Sequence, residues 1–396
     1  MSLSTSLLKA FPIPVFLEMP HVGLEVSPFA IRFIEINHGG GDFRVGRYGE
    51  KKLSTAVDFN KPLIEQKELV DALIEIRTKY KLTFIEATLP EEKAYLFSAE
   101  VLDGSDQEIR DNLEFHLEEN VPLSLDEAIF DYHKIRSSQK NGKVLVTVST
   151  LPQAVVNGFI ALFEHCGLTP ISFLLEPQAL SRSTIKYGDV GTYLLVRLGE
   201  KTTGLSIVSE EATQFTSTLN IGSDDFTAAI MKQFNVSHEE AEKIKHEKGF
   251  IKSPENNDLF LSLINISSAI KDEIGRIYTY WQSYKKNEES QAAKSRLSEE
   301  TSEVARVTRP SPFSQITSAG ERAPIAKVIL SGKDAALIGF REYLATSLKA
   351  EVEIANVWIN LFSFDEYIPP IDQSEALDYG AVIGVASPNF NKLRPL

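Results

Sequence analysis

Cysteine is almost missing from this 396-residue chain, which carries one, Cys166. A lone thiol excludes an internal disulfide. Together with seven dispersed histidines it also excludes the Cys-x-x-Cys and His-Glu-x-x-His spacings of tetrahedral zinc sites. Cys166 ends an apolar helical pattern, so a buried structural thiol in a reducing compartment is expected. Positive charge is also short: 41 Lys and Arg stand against 55 Asp and Glu, a net charge of -14, which speaks against a nucleic-acid partner. No apolar run approaches the roughly 18–20 residues of a membrane-spanning helix. The apolar stretch Phe11-Pro-Ile-Pro-Val-Phe-Leu17 is short, broken by two prolines and followed by Glu18. It makes a poor signal peptide and is expected to pack onto the fold or a partner. No Gly-x-Ser-x-Gly elbow is present. Gly199-Glu-Lys-Thr-Thr203 lacks the leading glycine of a P-loop and is followed by a strand pattern, so it is not one.

The composition that remains, 43% hydrophobic and 24% charged, is that of a folded protein of about two halves. Two stretches read alike: His21 to Ile36 and Tyr193 to Val208 are each an apolar strand, a short polar turn and a second strand. Such a pair fits a duplicated domain of the actin, Hsp70 and sugar-kinase architecture, with the turns facing a phosphate-sized cleft; two ordinary structural hairpins are the other reading. Leu69, Leu73, Ile76 and Tyr80 recur at helical spacing, and a buried strand follows at 84–89. A helix from Asp106 carries Ile109, Leu113 and Leu117 and stops at Asn120 and Pro122. Strands at 128–133 and 143–148 and a helix from Pro152 to Gly167 complete an inserted α+β unit over 101–170. Helices are expected at 226–234, at 237–248 with Ser237 and Glu240 as a capping box, and from Asp258 to about Lys286. Residues 285–324 read as a mobile loop. A strand at 327–331 and helices near 338–348 and 374–386 follow, and Gly39-Gly-Gly41 reads as a turn.

Several segments, in order, resemble the PilM family of type IV pilus assembly. They are Gln107 to Glu127 with Phe130-Asp-Tyr132, His165-Cys-Gly-Leu-Thr-Pro170, Leu175-Glu-Pro-Gln-Ala-Leu180, Phe215 to Gly222, Phe226 to Ile230 and Glu239 to Lys245. The related division protein FtsA is resembled less closely. The resemblance implies an α/β fold of actin-like (ribonuclease H-like) duplicated halves with an inserted α+β subdomain. The expected boundaries are an N-terminal segment 1–20, a first core half 21–100 and the insert 101–170. The chain then returns to the first half over 171–189, forms a second half over 190–372 and ends in a helix and tail, 373–396.

The resemblance also implies a nucleotide held between the two hairpin loops, and there the sequence departs from the family pattern. Glu25 stands where the first loop has aspartate and Ser27 where it has glycine, Pro28 removes an amide, and Arg32 follows where the family has lysine. Arg197 replaces the aspartate that organises magnesium, although magnesium requires oxygen ligands. Gly199, Thr202 and Thr203 match the second loop. In the adenosine segment Gly332 is kept and Lys333 replaces a second glycine, while Glu176 keeps its carboxylate. The expected cofactor is therefore none, or ATP held weakly, with no ATP turnover and no metal. Glu25 and Arg197 are expected to pair across the cleft. The implied function is a cytoplasmic scaffold at the inner face of the membrane. It would bind a short cytoplasmic peptide of a PilN-type inner-membrane protein, with self-association also open. The alternatives are an FtsA-like division protein and an active actin-fold ATPase.

Overall fold

A computed structural model describes residues 21–39, 42–140, 142–294 and 323–388. Strands β1 (His21–Val26), β2 (Ala30–Gly39) and β3 (Asp42–Lys52) lead to α1 (Lys67–Tyr80) and β4 (Phe84–Leu89). Next come β5 (Tyr95–Leu102), α2 (Asp106–Asn120), β6 (Ala128–Lys140) and β7 (Lys143–Pro152), then α3 (Gln153–His165), β8 (Thr169–Leu175) and α4 (Glu176–Thr184). Strands β9 (Thr192–Leu198), β10 (Thr203–Ser209) and β11 (Ala212–Leu219) precede α5 (Ser223–Phe234), α6 (His238–Lys248) and α7 (Asn257–Lys294). The last described elements are β12 (Ile325–Gly332), α8 (Phe340–Leu348), β13 (Val352–Ile354), α9 (Gln373–Ala376) and α10 (Gly380–Ala386).

The chain forms two compact units. The first comprises Met1–Glu92, Ala154–Asp189 and Ala355–Leu396. Its sheet runs β3-β2-β1-β4-β8, an antiparallel meander extended by two parallel strands. Strand β1 is central in the sheet, and Val22, Leu24 and Val26, which share one of its faces, are all buried. Gly23 lets α10 lie directly on β1, because a Cβ there would meet the carbonyl oxygen of Val382 at 2.4 Å. Helix α3 buries Val156, Phe159, Leu162 and Phe163, and its rings stack on Phe59 and Phe173 of the same unit. That apolar face explains why α3, which the periodicity alone assigns to the insert, lies in the first unit. The Cys166 thiol is buried beside the Val70 carbonyl at 3.8 Å, and burial pushes it up to about 11. The thiol therefore stays protonated and packs as a small hydrophobe.

The second unit comprises Lys93–Gln153 and Val190–Ile354. Its main sheet, β11-β10-β9-β12-β13, repeats the plan of the first: three antiparallel strands in sequence, then two parallel ones. A separate sheet, β5-β7-β6, belongs to the same unit. Helix α2 packs Ile109, Leu113 and Leu117 against Phe97, Val144, Val146 and Val148 of that sheet. Strand β5, which the reading from 101 leaves out, belongs to this sheet. Helix α7 buries Leu263, Ile270, Ile274, Ile277 and Trp281 and continues to Lys294, beyond the break expected at 285. Its extra residues are strong helix formers such as Gln291, Ala292, Ala293 and Lys294. Residues 295–322 of the expected loop, the N-terminal segment 1–20, the turn residues 40 and 41 and the tail 389–396 lie outside the described residues.

Candidate functional site

The residues singled out from sequence divide between the units. In the first unit Glu25 and Arg32 face each other across the β1–β2 hairpin. The Arg32 guanidinium lies 3.7 Å from the Glu25 carboxylate, 2.7 Å from Glu50 and 4.0 Å from Asp378, so the buried Glu25 charge is met within its own unit. The hairpin turn is tight. The Ser27 amide donates to the Ala30 carbonyl at 2.9 Å, the Ser27 hydroxyl donates to the same oxygen at 3.0 Å, and Pro28 has no amide to give. The carbonyls of Pro28 and Phe29 accept from Val57 and Leu53 at 2.7 and 2.8 Å. Glu176 is half-buried at the first position of α4, ahead of Pro177.

In the second unit, β9 and β12 run side by side and bring four of the named residues together. Arg197 is registered with Ser331 and Leu198 with Gly332. Gly332 has φ +89°, and a Cβ there would stand 2.1 Å from the Leu198 carbonyl oxygen, so no other residue fits without moving the strand. Gly199 closes the β9–β10 turn by donating to the Thr202 carbonyl at 2.9 Å, and Thr203 donates its hydroxyl to Ile221 at 2.7 Å. The turn is tied to the start of α5, whose Ser223 and Asp224 amides donate to the carbonyls of Gly199 and Glu200, each at 2.9 Å. Lys201 adds an ion pair to Asp224 at 2.7 Å.

Lys333, the next residue after Gly332, points its ammonium at Glu242 of α6, 3.1 Å away. Glu242 belongs to a buried polar cluster that the reading of isolated motifs did not find. At its centre is Lys245, with its side chain wholly buried. The Lys245 ammonium donates to Ser223 at 3.0 Å, Thr227 at 2.8 Å and Glu242 at 2.6 Å, which accounts for its three N–H groups. Asp334 lies 3.0 Å away as an ion-pair partner, itself fully buried. Thr227 also donates to Glu242, and His246 stands 3.5 Å from the same carboxylate. Burial would raise the Glu242 carboxyl, but hydrogen bonds from His246, Lys245 and Thr227 outweigh it and hold the group well below the ordinary carboxylate range. The one sequence signal was Lys245 itself, which lies four residues after the buried Ala241 and so on the inward face of α6.

Comparison with known proteins assigns the chain to a family. The family described as Type IV pilus assembly protein PilM matches residues 23–284. The chain belongs to the PilM family. The solved structure titled "PilM-PilN type IV pilus biogenesis complex" is similar at 16% identity, with TM-score 0.65 over 95% of this chain and 99% of that one. At that identity the likeness shows the fold, an actin-like α/β fold. The ethanolamine utilization protein EutJ from Carboxydothermus hydrogenoformans (13% identity, 95% and 90% of the two chains, TM-score 0.48) and MreB5 of Spiroplasma citri bound to ADP (11%, 93% and 95%, 0.47) are more distant. Among the described residues of this PilM-family chain, no helix is long and apolar enough to cross a membrane, and no group of three His, Cys, Asp or Glu residues is placed to hold a metal ion.

Proposed function

We propose that this chain is a scaffold of type IV pilus or related secretion machinery that engages the cytoplasmic peptide of a PilN-type inner-membrane protein and does not turn over ATP. The family match over residues 23–284 supports the pilus role, and the similar structure, a complex of PilM with PilN, supports the choice of partner. An extended peptide held by side-chain pockets and backbone hydrogen bonds requires no catalytic residue, so this role survives loss of the nucleotide chemistry.

The reading of the nucleotide site is carried by Lys333. Where the family pattern has a second glycine, this chain has a lysine whose ammonium lies 3.1 Å from Glu242. Arg197, at the end of β9, offers only donors, and a divalent cation needs carboxylate or water oxygens there. In the first hairpin the Ser27 amide is already spent and Pro28 has none, which leaves a phosphate fewer donors. Calorimetric titration with magnesium and ATP is expected to give no heat for the parent chain. Binding is expected to return when Lys333→Gly and Arg197→Asp are combined. Saturable ATP binding by the parent would overturn the degenerate-site reading. For the partner, a synthetic peptide of the N-terminal cytoplasmic segment of a PilN-type protein from the same genome should bind the parent chain saturably, and its failure to bind would remove the scaffold reading in this form.

A further inference from the structure

The first unit carries a pocket of about 500 Å³ on the connection from β13 to α9. Phe364, Ile368, Pro370 and Ile371 supply apolar walls, and Asp372 and Gln373 make one side polar. Ile368 is 80% exposed and Phe364 43%, so bulky apolar surface stands open to solvent. The walls are held in place. The Tyr48 hydroxyl donates to the Pro370 carbonyl at 3.1 Å, the Glu366 and Tyr367 amides donate to the Ser363 carbonyl, each at 3.0 Å, and the Phe362 ring stacks on Trp358. The charge around the pocket is of one sign. Asp365, Glu366 and Glu375 are exposed and each lies within two residues of a lining residue, and Asp372 is itself part of the lining. Hydrogen bonds from Ser374 hold the Asp372 carboxyl below the ordinary carboxylate range, so it is charged at neutral pH. No Lys, Arg or His occurs from 350 to 388. Arg44 of β3, with its guanidinium 5.5 Å over the Tyr367 ring, answers at most one of these four charges.

Charge and shape together select the occupant. Carboxylates repel a nucleic acid or the phosphate of a lipid headgroup, and a second copy of a chain of net charge -14 is repelled as well. A cationic segment with a bulky apolar side chain suits both features: its Lys and Arg meet the carboxylates, and the side chain fills the pocket. We propose that the pocket docks the Lys- and Arg-rich cytoplasmic segment that flanks the membrane-spanning helix of an inner-membrane partner. Such flanks carry an excess of Lys and Arg on the cytoplasmic side. The choice of an inner-membrane partner rests on the scaffold reading, to which this docking adds a second contact.

Fluorescence anisotropy with the full chain tests this. The probe is a fluorescein-labelled peptide of the Lys- and Arg-rich cytoplasmic stretch beside the membrane helix of a PilN-type protein from the same genome. The parent should bind it saturably, and more weakly as the salt concentration rises. Ile368→Ser, and the pair Asp365→Lys with Glu366→Lys, change exposed residues and should each weaken binding at least about tenfold. The pair Glu118→Lys with Glu119→Lys, an equal change of charge on the exposed side of α2, should leave binding unchanged. A benzophenone in place of the peptide's apolar anchor should label the tryptic fragment 350–392, which has no internal Lys or Arg. No binding by the parent, equal binding by all variants, an equal loss from the α2 pair, or labelling elsewhere would overturn the docking. Self-association of the parent that Ile368→Ser abolishes would assign the pocket to a second copy and overturn it too. The partner's N-terminal peptide should bind the parent and Ile368→Ser alike. If that peptide binds and the basic stretch does not, the docking alone fails; the reverse result removes the scaffold reading in its stated form and keeps the docking.

Discussion

Lys245 is a wholly buried ammonium whose four neighbours come from two helices, α5 and α6, and from the turn after β12. Removing it would leave Glu242 and Asp334 without their shared cation, and breaking a buried pair in this way costs about 3–5 kcal/mol. Lys245→Ala should therefore lower the urea midpoint strongly, while Lys243→Ala, an exposed neighbour on the same helix, should barely move it. Glu242 adds a pH dependence of definite sign. Its folded carboxyl sits below the ordinary value of 4.5, so its stabilisation is fully present above that value and is lost as the pH falls below it through the folded value. Melting temperature followed from pH 7 to pH 3 should fall for the parent and fall less for Glu242→Gln; equal slopes would contradict this account. Sequence alone could place Lys245 on the inward face of α6. It could not supply Asp334, which lies 89 residues away and meets Lys245 only through the tertiary fold.

At the level of elements, local chemistry was legible wherever it decided the outcome. The Ser237 hydroxyl accepts from the Glu240 amide at 3.3 Å and the Glu240 carboxylate accepts from the Ser237 amide at 3.1 Å, the capping box expected for α6. Ser237→Ala should cost about 1 kcal/mol in chemical denaturation. Gly167, expected to stop α3, does so with φ +74°. The expected single helix over 374–386 is instead α9, a 3-10 turn at Leu377–Tyr379 and α10. Helix α10 lies so close to α4 that a Cβ on Gly384 would stand 1.7 Å from the Ala179 carbonyl oxygen. Gly384→Val cannot be absorbed by a side-chain rotation, because the obstacle is backbone. A loss at or above the upper end of the usual 1–3 kcal/mol for overpacking is expected from thermal melts. Strand β5 escaped the reading because Tyr95-Leu-Phe-Ser-Ala-Glu-Val-Leu102 has no clean alternation: its first four buried residues, Leu96 to Ala99, are consecutive.

For the whole molecule, the duplicated hairpin was the one long-range feature written into the sequence, and the two sheets of like order are its structural form. The departures at Arg197 and Lys333 were equally plain as letters, but the Glu242 that answers Lys333 required coordinates. The two five-stranded sheets set one of their parallel pairs, β1 with β4 and β9 with β12, in the interior. Native-state hydrogen exchange should be slowest at these strands and faster in the outer β3 and β13; uniform protection across a sheet would count against that ordering. The contact between Gly23 and Ala386 also bears on biosynthesis. Strand β1 leaves the ribosome before every other described element, and its covering helix α10 is the last described element to do so. The first unit must therefore wait, with one face of its sheet bare, until nearly the whole described chain has been made. In the cell that interval is the stage at which this protein would depend on a chaperone.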